Sequence, residues 1–335
     1  MKKYLLKNVW ILLSVVAVAF AACKASKEGS NNSSHDKHET ISTGFHDVDT
    51  MNIVQNVVPT DQPVKSLMDL PATQDGGYVL SPGLYEADFK SFCLQPGTPD
   101  PGSKDAYFRA PLTGYRKDII ETILRNSERK PNLEQKNVQL LLWSVVSKSN
   151  FDNLSYPVQA TARELLTPKQ IFELKGGTMG VVKTFVKTSG IANVNGDLQN
   201  LFELGSSSYE LYEQVAVLRQ PSQISRPDFK RDQWYKQPEG YYVRYFTKGY
   251  KNVQIQVYAP EACFDSTNLA TGNHIVFDPT SMVIVPAYSN AQRLGIGGPV
   301  VEIIRQVVKI EKSLPPPPPR KQPENKPTKQ TKQLQ

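Results

Sequence analysis

The sequence predicts an α+β fold: helical periodicity dominates the first half of the chain, strand-like alternation dominates the second, and the two do not interleave as a doubly wound sheet would require. A third observation bounds that body. Both ends of the 335-residue chain differ in composition from the stretch between them. Lys2, Lys3 and Lys7 supply +3 before residue 23, and Arg320, Lys321, Lys326, Lys329 and Lys332, less Glu324, supply +4 after Leu314. Removing both from the net +7 leaves the whole stretch between them, residues 23–314, with no net charge. The basic balance therefore does not describe a nucleic-acid-binding face, and no nucleic-acid partner is expected.

In the first half, residues 115–129 place Ile119, Ile120, Ile123 and Leu124 on one stripe, with Arg116, Lys117, Glu121 and Arg125 elsewhere. A second helix is expected from Pro131-Asn132, with Asn132 as cap, Gln135 three residues on, and Val138, Leu141, Leu142, Val145 and Val146 facing the core. Thr167-Pro168-Lys169-Gln170 repeats the cap logic and Gly176-Gly177 ends that helix. A further helix is expected over 209–218. In the second half, residues 241–246 and 253–258 read as strands around a Lys248-Gly249-Tyr250-Lys251 turn, and 274–277 and 281–285 read as another pair around Asp278-Pro279. Gly295-Ile296-Gly297-Gly298-Pro299 reads as a turn leading into a last helix through Val300, Ile303, Ile304, Val307 and Val308.

The body so defined spans 78–312. Before it, residues 23–77 read as a polar, flexible tether, and after it 313–335 form a proline-rich basic tail opening with five consecutive prolines. Residues 1–22 combine a lysine-bearing start with an apolar run from Val9 to Phe20, too short to span a bilayer comfortably, as in an export signal. Phe20-Ala21-Ala22-Cys23 resembles the bacterial lipobox, Phe20 standing where Leu is usual. That resemblance to bacterial lipoproteins implies cleavage before Cys23, acylation of Cys23 and anchoring to a membrane of the cell envelope. The partners it implies are the membrane itself and other envelope proteins, peptidoglycan or surface glycan.

Several chemistries are absent from the sequence. It has no Gly-x-Ser-x-Gly elbow, no His-Glu-x-x-His, no phosphate-binding Gly-x-x-x-x-Gly-Lys-Ser/Thr and no dinucleotide fingerprint. Four histidines, three of them in the tether, and three cysteines cannot assemble the usual zinc spacings, so no metal, no cofactor and no catalytic constellation is expected. Asp and Glu can still meet in space without any sequence spacing, which leaves a glycan or peptidoglycan hydrolase as an alternative to a binding or scaffolding module.

Cys93 and Cys263 remain once Cys23 is lipidated. One expectation is a disulfide closing a loop of about 170 residues, contributing roughly 3–5 kcal/mol in the chain-entropy model. The other starts from three short blocks: Phe92-Cys93-Leu94, Val138-Gln139-Leu140-Leu141-Leu142-Trp143 and Val253-Gln254-Ile255-Gln256-Val257. In that order they resemble the thioester domains of bacterial surface adhesins, Val138 standing where Thr is usual. The resemblance implies a Cys93–Gln254 thioester with Gln139 and Trp143 on the supporting helix. The segment 92–102 holds three prolines and two glycines and reads as an irregular loop. With Gln95 in it, and Tyr107, Phe108 and Arg109 just beyond, it is the expected recognition surface. Trp234-Tyr235 and Tyr241-Tyr242 are further aromatic pairs suited to glycan stacking.

Overall fold

The computed structural model describes residues 52–59, 61–130, 132–176, 194–264, 274–301 and 307–308. The expected signal segment, Cys23 and the proline-rich tail lie outside them. The strands before the helices are β1 (Ile53–Val54), β2 (Val64–Ser66), β3 (Ala72–Thr73), β4 (Tyr78–Val79), β5 (Gly83–Cys93), β6 (Thr98–Pro99) and β7 (Ala106–Ala110). The helices are α1 (Lys117–Glu128), α2 (Gln135–Val146), α3 (Tyr156–Leu165), α4 (Pro168–Leu174), α5 (Val194–Glu203) and α6 (Tyr209–Ala216). Then come β8 (Val217–Leu218), β9 (Trp234–Lys236), β10 (Tyr242–Thr247), β11 (Asn252–Ala259), β12 (Val276–Phe277), β13 (Val283–Ala287), β14 (Leu294–Pro299) and β15 (Val307–Val308). The chain is α+β.

The main sheet runs β1-β9-β10-β11-β5-β14-β13-β7, with β2 added in parallel against the start of β5. Its other pairings are antiparallel, and it curls until β10 approaches β7. β10 and β11 form the hairpin expected from their alternation: Val243 and Tyr245 on one strand and Val253, Ile255 and Val257 on the other are buried, while Arg244, Phe246, Gln254 and Gln256 point outward. The helices cluster on the buried side, α1 lying on β14 and α2 on β5.

β5 is the organising strand, and its alternation is obscured because most of it is covered on both faces: Leu84, Tyr85, Phe89, Ser91, Phe92 and Cys93 are all buried. Such a strand has no clean period to read. Together with β7 it places long strands in the first half of the chain, while all six described helices end by Ala216. The folded body also starts earlier than residue 78. Ile53 and Val54 pair with Tyr235 and Trp234, and Val64 to Ser66 pair with Leu84 to Glu86, so 52–59 and 61–77 belong to the sheet and its flanks. These are short edge additions, and two- or three-residue strands carry too little hydrophobic pattern to be seen.

Other expectations change with the packing. Glu134, not Asn132, is the N-cap of α2, without a side-chain cap bond. Gln135 is freed from a capping role and reaches across to the sheet instead. The Thr167 box forms as expected: its hydroxyl accepts from the Gln170 amide at 3.2 Å and Gln170 Oε1 accepts from the Thr167 amide at 3.0 Å. Residues 274–277 and 281–285 do not pair with each other. β12 pairs with β4, and β13 with β7 and β14. Between them Asp278 Oδ1 accepts from the Thr280 amide at 2.9 Å and caps a short 3-10 turn.

The glycine-rich stretch is strand β14, not a turn. Its glycines are explained by α1 lying directly on it: a Cβ at Gly295 would come within 2.7 Å of Leu124 Cδ1, and one at Gly298 within 2.9 Å of the Glu128 Cα. The expected last helix is contradicted where it is described, since Leu294–Pro299 and Val307–Val308 are extended and Val300 and Val301 are exposed. Residues 302–306 lie outside the described residues.

Candidate functional site

One stripe of α2 carries the site. Gln135, Gln139 and Trp143 are spaced four apart and so stand above one another on the same face. Gln139 is 2% exposed and uses both ends of its amide on one residue: its Oε1 accepts from the Cys93 N–H at 2.8 Å and its Nε2 donates to the Cys93 carbonyl at 3.0 Å. The side chain thus satisfies both backbone groups of Cys93, as a neighbouring strand would. One turn earlier, Gln135 Nε2 donates to the Ser91 carbonyl at 3.1 Å and the Lys251 carbonyl at 2.7 Å, tying α2 to β5 and to the β10–β11 turn.

Trp143 is wholly buried and lies against the Cys93 thiol on one side. On the other, its ring stacks on Tyr209 of α6 with centroids 5.8 Å apart, and Tyr250 of the hairpin turn lies 6.4 Å away. The two phenol oxygens are 2.7 Å apart. Tyr250 donates its hydroxyl hydrogen to Glu213 Oε1, so Tyr209 must donate to the Tyr250 oxygen. Glu213 stands one turn beyond Tyr209 on α6 and also receives Lys251 Nζ at 3.1 Å and Arg219 Nη2 at 3.2 Å. Asp100, in the loop after β6, accepts the Tyr250 amide at 2.9 Å.

Above this floor is a cavity of about 200 Å³ lined by Gln135, Lys136, Gln139, Tyr209, Tyr250 and Lys251. Its walls come from α2, α6 and the hairpin turn. The lining offers two ammonium groups, two phenols and two amides, and no carboxylate. The titration behaviour follows from the surroundings. Burial pushes both Tyr209 and Tyr250 up, so each stays a neutral phenol. Burial also pushes Glu213 up, but the Tyr250 hydroxyl, Lys251 and Arg219 outweigh it and hold the carboxylate below its usual range. Asp100 is shifted the other way: burial raises it, and the Tyr250 amide and Arg219 only partly offset this.

The thiol beneath the site is not a free nucleophile. Burial pushes Cys93 up to about 12, against the lowering effect of the Trp143 indole and the Gln95 amide. Cys93 and Cys263 are both unbonded. Cys263 follows Ala259, which pairs with Gly83, whereas Cys93 ends the same strand ten residues on. At about 3.4 Å per residue the two ends of that strand lie roughly 30 Å apart, against the ~7 Å limit for a disulfide, so the expected bridge is corrected.

The thioester pair is corrected on the same grounds. Gln254 pairs with Asp88, five residues or about 17 Å along β5 from Cys93, and it faces outward while Cys93 shares the parity of buried Phe89. Two of the three resembling blocks do converge, since Cys93, Gln139 and Trp143 meet, but Gln139 is committed to the Cys93 backbone. We expect intact mass to show loss of neither ammonia nor two hydrogens, and Cys93 to meet a thiol reagent only once the chain unfolds. A mass lower by two hydrogens would restore the disulfide.

The expected recognition loop is also redistributed. Tyr107 and Phe108 are interior residues of β7, the first donating its hydroxyl to the Gln292 carbonyl at 2.8 Å and the second packed edge-on to Phe229 and Tyr235. Gln95 is half-buried and its carbonyl accepts from the Thr98 hydroxyl at 2.7 Å, closing the turn after β5. Arg109 is half-buried and donates to Gln237 and Ser281 instead of lining the cavity. Trp234, Tyr235 and Tyr241 are core residues. The site residues that the sequence reading missed are Gln135, Lys136, Asp100, Tyr209, Glu213, Tyr250 and Lys251. A readable signal existed only for two fragments: the four-residue spacing of Gln135, Gln139 and Trp143 in an otherwise apolar helix, and that of Tyr209 and Glu213.

Among the described residues no helix is long and apolar enough to cross a membrane, and no cluster of three His, Cys, Asp or Glu side chains could hold a metal. Compared with protein families, curated proteins and solved structures, the chain matches none.

Proposed function

We propose that this is a lipid-anchored cell-envelope protein whose body is a binding module, and that its ligand is a hydroxyl- and carboxylate-bearing piece of envelope glycan or peptidoglycan seated in the cavity over Tyr209 and Tyr250. The observation that carries the reading is the lining itself. Two ammonium groups and two amides surround two phenols, with no carboxylate among them, which suits a small anionic, hydrogen-bonding group. The volume of about 200 Å³ fits one sugar ring or a short peptide end rather than an extended ligand. The anchor is supported by the lipobox-like segment ending at Cys23.

One experiment tests both parts. The mature chain, and its Tyr209→Ala and Lys251→Ala variants, would be sedimented with purified peptidoglycan sacculi and with surface polysaccharide. The parent should co-sediment with one of the two, each variant should lose at least tenfold in affinity, and Cys23→Ser should leave binding intact while moving the protein out of the detergent phase. Equal retention of parent and cavity variants would remove the cavity from the reading. A Cys23→Ser protein still partitioning into detergent would remove the anchor.

A second reading has its own observation. Asp100 and Glu213 flank Tyr250 with their protonation preferences pushed apart, one up and one down, the arrangement by which a hydrolase separates its acid from its base. Release of soluble sugar or peptide from the same sacculi, abolished by Asp100→Asn, would favour it over binding alone.

A further inference from the structure

Arg109 stands in β7 opposite Ile284, outside the cavity lining, and its guanidinium points among side chains from three other segments. It donates to the Gln237 Oε1 and, at 3.2 Å, to the Ser281 hydroxyl. Both acceptors are fixed elsewhere. Gln237, 4% exposed, donates its Nε2 to the Tyr235 carbonyl at 3.3 Å, and the Ser281 hydroxyl donates to the Asp278 carbonyl at 2.8 Å. The phenols of Tyr241 and Tyr245, 3% and 4% exposed, lie beside the same guanidinium. Every one of these partners is neutral.

Among the described residues no carboxylate is paired with Arg109, although six of the eight ion pairs found there lie largely in solvent where pairing matters least. A half-buried cation held only by neutral dipoles is under-compensated, because the low dielectric around it makes an opposite charge worth more than at the surface. A guanidinium has five N–H donors in a planar fork, and the oxygens of Gln237, Ser281 and Tyr241 do not exhaust them. Two other ionisable groups act on the surrounding residues. Glu239 acts on Tyr241, and Lys236 acts on the thiol of Cys263, whose sulfur lies 3.2 Å from where a Cβ on Gly240 would stand.

We propose that Arg109, with the hydroxyls of Tyr241 and Tyr245, forms a second binding seat, for an oxyanion, beside the start of β10 and outside the cavity lining. The fork matches the two oxygens of a carboxylate or a phosphate monoester, and the neighbouring phenols can donate to the same group. The seat is independent of the cavity: Tyr242, at the start of β10, and Tyr250, in the turn after it, lie at opposite ends of the hairpin.

The test is thermal unfolding of the mature chain in sodium acetate and in sodium phosphate, each against sodium chloride at matched ionic strength. The parent should show a saturable rise of about 2–4 °C in at least one arm, the shift expected when a ligand contributes on the order of 1 kcal/mol to a body of this size. A rise in acetate alone assigns a carboxylate, and one in phosphate alone assigns a phosphate ester. Arg109→Gln should abolish it, Arg109→Lys should weaken it at least fivefold by removing the fork, and Tyr241→Phe, which keeps the buried ring, should weaken it at least threefold. No rise in either arm for the parent, or the same rise in Arg109→Gln or Tyr241→Phe, would overturn the proposal.

Discussion

Trp143→Ala should lower the stability of the body by about 3–5 kcal/mol, the usual cost of deleting a large, fully buried aromatic side chain. At about 2–4 °C per kcal/mol for a body of this size, the midpoint of thermal unfolding should fall by roughly 6–20 °C. The loss has more than one source. The indole fills the space between the Cys93 strand end and Tyr209, so its removal leaves a void that the rigid sheet cannot close, and it also removes the stacking partner that sets the Tyr209 ring. Trp143→Phe should recover most of the stability because an aromatic plane remains. Urea unfolding followed by far-ultraviolet circular dichroism measures the difference. A loss below about 1 kcal/mol for Trp143→Ala would show that the cavity floor is not packed as described.

Gln139→Leu should cost about 2–5 kcal/mol although leucine is nearly the same size and more hydrophobic. The substitution strands the Cys93 N–H and carbonyl together, and each buried unsatisfied group costs about 1–3 kcal/mol. Gln139→Glu separates this account from simple packing. A carboxylate can accept from the Cys93 amide but cannot donate to its carbonyl, whereas the protonated acid can do both. Burial and that hydrogen bond therefore raise the folded pKa of the introduced acid above its unfolded value of about 4.3. A raised folded value contributes stability at low pH that is lost as pH climbs through it, so the deficit of Gln139→Glu relative to the parent should widen between about pH 4 and 7. A deficit independent of pH would mean that the amide is not bridging the strand end.

These two residues show how legible the site was. A helix rich in Val and Leu with Gln139 and Trp143 on it reads from sequence as a core helix with one polar member, and that much holds. The role of the polar member could not be read, because its partner is the backbone of a residue 46 positions away and backbone groups leave no trace in side-chain identity. The same limit applies to Tyr209, Glu213, Tyr250 and Lys251. They come from one helix and one turn that are ordinary by themselves and become a site only because α6 and the β10–β11 hairpin meet over α2. The resemblance to thioester domains picked out Cys93, Gln139 and Trp143, which do converge. It also picked out Gln254, which strand parity places on the other face of the sheet.

What the sequence determined by itself was local: the amphipathic stripe of α1, the Thr167 capping box, the β10–β11 hairpin and the mixed α+β character. Each of these rests on interactions within a few residues, or on a period that burial on one side imposes. Tertiary structure alone decided that β5 is the centre of the sheet, that Gly295, Gly297 and Gly298 make a strand flat enough for a helix to lie on, and that Cys93 and Cys263 stand apart. Those outcomes depend on what covers each segment from the far side of the molecule. A doubly covered strand carries no alternation and a glycine selected for close approach looks the same as one selected for a turn, so the distinction exists only once the chain has folded.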